Sequence, residues 1–144
     1  MNSFANQQQS DEHRILFFRN LKKKLNGTPT RKIISIVRIV LSKLKSSFSS
    51  QQLNETLTYA PAFVQLLVGH DQHNREIQIN HLDELVDLLI AEDKRLGTRL
   101  FKSEIETLNV VILILKQIQI SFEKMGINIL PHTLERELQG AMID

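Results

Sequence analysis

Cysteine is absent from this 144-residue chain. That excludes a disulfide framework, a cysteine nucleophile and a thiolate zinc ribbon, and it is compatible with a cytosolic compartment. The first residues, MNSFANQQQSDEH, lack the basic start and apolar stretch of a secretory signal, so a cytoplasmic, non-exported protein is expected. The longest uninterrupted apolar run, Val110 to Leu115, falls far short of the ~20 residues of a membrane span, so no transmembrane segment is expected. No G-x-S-x-G turn surrounds any serine, and Glu104 and Glu106 read as first-turn partners of a helix dipole rather than as an acid/base pair. These absences leave no catalytic constellation, and neither enzyme activity nor a cofactor is expected.

What remains is a chain long enough for one domain that buries about two-thirds of its unfolded surface without a metal or disulfide staple. Net charge is only +2, but it is unevenly placed. Residues 1 to 50 hold ten Lys/Arg against two acids, a net +8; residues 51 to 144 hold eight against fourteen, a net −6. A basic front is joined to an acidic back, an arrangement that fits an anionic partner for the front or two halves that attract each other on folding or dimerisation.

The stretch Ser103 to Gln119 is the expected centre of the fold. Alternation at Val110, Ile112 and Ile114 suits a buried strand, whereas Ile105, Leu108, Val111, Ile112, Leu115 and Gln119 mark a helical stripe. Ser103 followed by Glu106 has the spacing of a capping box, which favours the helix, and a run that is apolar all round is expected to be buried all round. Around it the reading gives residues 1–9 as a disordered polar tail and 10–144 as a single domain. One helix is expected from Ser10 or Asp11 to Leu25 with Phe18, Leu21 and Leu25 inward, stopped by Asn26-Gly27. A second opens at Thr28-Pro29-Thr30 and carries Ile33, Ile34, Val37, Val40, Leu41 and Leu44. Ser49 and Gln52 cap a short third with Leu53 and Leu57 inward, and Pro61 opens a fourth with Phe63, Val64 and Leu67. A polar connection follows, in which Ile77 and Ile79 pin the loop to the body or form a brief extended segment; Asn80 then caps a helix ended by Gly97. Beyond the central helix, a turn through Phe122 and Met125 leads by Ile127 to Leu130 into a last helix opened by Pro131 and holding Leu134 and Leu138. The fold class is therefore all-α, an antiparallel bundle of about seven or eight helices.

The halves also match each other. Shifted by 71 positions, Ile34, Val37, Val40, Leu41 and Leu44 fall on Ile105, Leu108, Val111, Ile112 and Leu115; shifted by 70, Leu57, Ala60, Pro61 and Val64 fall on Ile127, Leu130, Pro131 and Leu134. Two similar helix-turn-helix copies, about 30–68 and 103–140, bridged by the helix at 80–96, are the expected organisation. On these residues, and above all on Leu130-Pro131-His132-Thr133-Leu134 and Glu84-Leu85-Val86-Asp87-Leu88, the chain resembles a bacterial family, number 2267 among the domains of unknown function. Its first copy carries Ala60-Pro61 where that family has Leu-Pro. The resemblance implies a two-copy helical fold and lends no activity.

Two clusters invite chemistry. His70, Asp71, His73, His81 and Asp83 supply imidazoles and carboxylates, the ligand types of zinc, nickel or non-haem iron, with His70, His73 and His81 as the weak metal candidates. They lack the i, i+4 spacing of a helical HExxH site and read more simply as an exposed polar loop. Lys22, Lys23, Lys24, Arg31, Arg38 and Lys45, with Arg19, Lys32 and Lys43 nearby, make an anion-binding surface of the kind that releases counterions on nucleic acid. No glycine-rich phosphate loop or aromatic platform accompanies them, so a solvated basic face, or one that meets the acidic helix Asp83 to Asp93 of the same or a second chain, is the plainer reading. The functional expectation is thus a non-catalytic helical interaction or regulatory module with a protein partner, including itself as a homodimer; the alternative is a small nucleic-acid or anionic-surface binder.

Overall fold

Ser103 sets the start of the central helix: its hydroxyl accepts the backbone N–H of Glu106 at 3.1 Å and so satisfies one of the donors that a helix start leaves open. In a computed structural model the chain is described over residues 3–63 and 78–141, with side chains from Gln8 onward. Seven helices and no strand occur among the described residues, an all-α bundle. They are α1 (Ser3–Lys24), α2 (Thr30–Lys45), α3 (Ser50–Tyr59), α4 (opening at Pro61, described over 61–63), α5 (Leu82–Leu96), α6 (Glu104–Lys124) and α7 (His132–Gly140). The expected inward positions Val64 and Leu67, and Ile77 in the connection, lie outside the described residues.

Most punctuation falls where the sequence puts it. Ser49 and Gln52 form both halves of a capping box at the start of α3, at 3.1 and 2.9 Å. Gly97 closes α5 in the left-handed conformation, φ 67°, which a residue with a Cβ adopts only at a cost. α1 begins at Ser3 rather than at Ser10, since nothing between Phe4 and Gln9 breaks a helix and glutamine is a good helix former.

The core is wider than one hexapeptide. Within α6, Val111, Ile114 and Leu115 are buried, whereas Val110, Ile112 and Leu113 are half-buried, so the run is a helix but not one enclosed on every side. α6 is long and apolar enough to cross a membrane by length and composition alone, and here its buried face includes Thr107, Val111, Ile118 and Phe122. α2 is more enclosed, with Ile33, Ile36, Val37, Ile39, Val40, Leu41 and Leu44 all buried between α1 and α5. A chain of edge-to-face rings ties three helices together: Phe17 of α1 meets Phe63 of α4 at 5.4 Å between centroids, and Phe63 meets Phe122 of α6 at 4.9 Å.

Several inward assignments shift. On α1 it is Phe17 and Leu21 that are fully buried, with Phe18 and Leu25 at the margin. In α3, Leu57 is 50 % exposed and Thr56 is the buried side chain, its hydroxyl bonded back to the Gln52 carbonyl at 2.8 Å. Ile105, placed on the inward stripe by its spacing, is 75 % exposed, because the face α6 buries is offset from that stripe by about one residue. The expected duplication is also not matched in detail. Leu57 is helical and exposed, while Ile127, its counterpart, is buried in the non-helical segment before Pro131, and no short helix separates α6 from α7.

Helix ends are tied across the bundle. Ser10 of α1 accepts the Ala62 N–H of α4 at 3.0 Å, and Gln52 of α3 donates to the Asn128 carbonyl at 3.1 Å. The N-cap of α5 is His81, not Asn80: the Asn80 N–H donates to Glu84, while the capping carboxylate for Leu82 is Glu137 of α7, at 2.8 Å.

Candidate functional site

The acidic helix α5 turns one edge toward the basic α2. Lys43, largely buried, lies 3.8 Å from Glu92, whose carboxylate also takes both Nε and an Nη of Arg95 at 2.7 and 2.9 Å. One residue on, Asp93 gathers the loop that follows α5. Its Oδ1 accepts the Thr98 hydroxyl at 2.5 Å and the Leu100 N–H at 2.9 Å, and its Oδ2 accepts the Phe101 N–H at 3.1 Å. Burial alone would push this carboxyl up; the bonds from Leu100, Thr98 and Phe101, with the charge of Lys32, outweigh it and hold the group below the usual carboxylate range. Part of the basic front therefore meets the acidic half of its own chain.

The remaining cations stay outside. Lys22, Lys23, Lys24, Arg31, Arg38 and Lys45 are all exposed, and Lys22 Nζ donates to the Thr28 carbonyl at 2.6 Å. Of the histidine cluster, His70, Asp71 and His73 lie outside the described residues, and the His81 imidazole sits 3.4 Å from Glu137. No group of three or more His, Asp or Glu side chains able to hold a metal forms among the described residues.

Among the described residues, two hollows bear on function. One of about 350 Å³ lies between the end of α6, the segment 127–130 and α7, with Gln119, Glu123, Asn128 and Glu135 on its walls; Asn128 and Glu135 already bond to each other at 3.1 Å. The other, about 220 Å³, is an apolar groove between α5 and the first turns of α6, with Val86, Ile105 and Leu108 as its floor and Asp83, Asp87 and Glu104 as its rim. The Asp93 clamp and the Ser103 cap fix where α6 begins, and that start turns Ile105 outward into this groove rather than under α5.

We take the groove as the candidate site because it unites a large exposed aliphatic side chain with carboxylates of one sign. The sequence holds a partial signal for it: Ile105 stands between Glu104 and Glu106 in a first turn, where a helix often extends past its neighbour. No family model, no curated protein and no solved structure matches this chain.

Proposed function

We propose that the protein is a non-catalytic helical interaction module, and that the groove formed by Val86, Ile105 and Leu108 docks a helical protein segment carrying aliphatic and basic side chains. The exposure of Ile105 inside an acidic rim is the observation that carries the reading. Burying an isoleucine side chain is worth about 1.5–3 kcal/mol, and partner cations facing Asp83, Asp87 and Glu104 would add orientation and association rate more than affinity. A helix laid in a groove with anchors at helical spacing is a recurrent mode of recognition. Titrating the protein with a synthetic amphipathic Leu/Lys helix should shift the Ile105 methyl resonances, and Ile105→Arg should abolish the response in the remaining groove residues. Unmoved resonances at saturating peptide would reject the reading.

A second reading is favoured by a set of exposed cations in the N-terminal half. Lys22, Lys23, Lys24, Arg31, Arg38 and Lys45 would contact phosphates of nucleic acid or another anionic surface. Binding to duplex or single-stranded DNA or to RNA should then weaken steeply with salt, and replacement of the three consecutive lysines should flatten that slope. A titration with no salt-dependent affinity removes this alternative.

A further inference from the structure

Resting on the docking reading of the groove, we infer that its occupant is a second copy of this chain, presented through the outer face of α1. That helix is apolar on both sides. Phe17 and Leu21 are fully buried, yet Ile15 and Leu16 are 54 % and 45 % exposed. At ~100° per residue, Glu12, Ile15, Leu16, Arg19, Lys22 and Lys23 fall within an arc of about 120°, opposite the buried rings.

This face complements the groove in both chemistry and spacing. Ile15 and Leu16 match the apolar floor of Ile105 and Leu108. Arg19 and Lys23 stand one helical turn apart, and so do Asp83 and Asp87 on the rim, so two cations meet two carboxylates at the same separation of about 5–6 Å. The contact joins different surfaces of the two copies. Reciprocal exchange gives a closed dimer with two such contacts, and one-way exchange gives a ring or an open chain. A single groove of about 220 Å³ makes this a weak association, sensitive to concentration.

Sedimentation of the full chain from about 1 μM to about 1 mM at low salt is the test. The expected result is a mass that rises with concentration. Two charge-reversed variants, Arg19→Glu/Lys23→Glu and Asp83→Lys/Asp87→Lys, should each weaken association by at least about tenfold, and a 1:1 mixture of them should restore it. Circular dichroism establishes that each variant is folded, and Leu16→Gln and Ile105→Arg supply single-site versions of the two arms. A chain that stays monomeric to about 1 mM overturns the inference, as does association indifferent to all four variants. If the monomeric chain still binds the Leu/Lys helix at Ile105, the groove remains a docking site and only the second copy as occupant is lost.

Discussion

The carboxylate of Glu137 accepts the backbone N–H of Leu82 at 2.8 Å, so the start of α5 is capped by α7 from 55 residues further along the chain. The same side chain brings Oε2 within 3.4 Å of the His81 ring, on the residue that precedes the helix. An N-terminal cap is worth about 1 kcal/mol. Glu137→Ala should lower stability by about that amount and speed exchange of the Leu82 amide, while Glu137→Gln, which keeps an acceptor oxygen, should cost less. Denaturant unfolding and amide exchange check both.

Asp93 gives the fold an acid-sensitive joint. Its carboxyl titrates below the ordinary value in the folded chain, so the unfolded state binds the proton more readily. The stabilisation is present above the unfolded value near pH 4 and is lost as pH falls through the lower folded value. Asp93→Asn forfeits the charge and leaves one of the three donors without an acceptor, at a cost of about 2–3 kcal/mol near neutrality that shrinks toward acid. Urea unfolding of both proteins at several pH values should show the two curves converging on acidification.

Lys43 and Glu92 form an ion pair with little access to water. Removing Glu92 takes a carboxylate from both Lys43 and Arg95. Glu92→Ala should therefore destabilise by about 3 kcal/mol, whereas replacing both by apolar residues, Lys43→Met with Glu92→Leu, should cost much less or nothing. A double-mutant cycle read by chemical denaturation separates the pair energy from the cost of losing either side chain alone.

Phe17 reaches Phe63, and through it Phe122, so one ring links α1 to two other helices. Truncation to alanine leaves a cavity that α1 cannot fill without moving as a whole. Phe17→Ala should cost about 3–5 kcal/mol, far more than Ile15→Ala on the exposed side of the same helix. Thermal melts of the two variants give the comparison.

These residues also separate the signals that are local in the chain from those that arise only on packing. Local signals were legible: the Ser49–Gln52 box, the Gly97 stop and the apolar rows of α2 and α5 act within a turn or two and carry their own chemistry. Periodicity placed Ile105 inside and Leu57 inside, and both are outside. A helical stripe fixes which residues share a face, but the rotation of that face against its neighbours is a tertiary matter, settled for α6 by the packing of Val111, Ile114, Ile118 and Phe122. The cross-helix ties at Ser10, Gln52 and Glu137 were beyond reach for a related reason, since nothing in a serine or a glutamate announces a donor some fifty or more residues away. Of the candidate sites, the cations could be read from composition and the groove could not, because a groove exists only between two helices whose crossing is already known.

The Asp93 clamp reaches further than the loop it holds. Thr98, Leu100 and Phe101 are the tether on which the first turn of α6 hangs, and that turn presents Ile105. Neutralising one carboxylate slackens the tether while the rings of Phe17, Phe63 and Phe122 still hold the body together. Acid strong enough to protonate Asp93, below the ordinary carboxylate range, should therefore loosen the docking face while the ring-tied body still holds, leaving a chain that is folded and yet no longer able to grip.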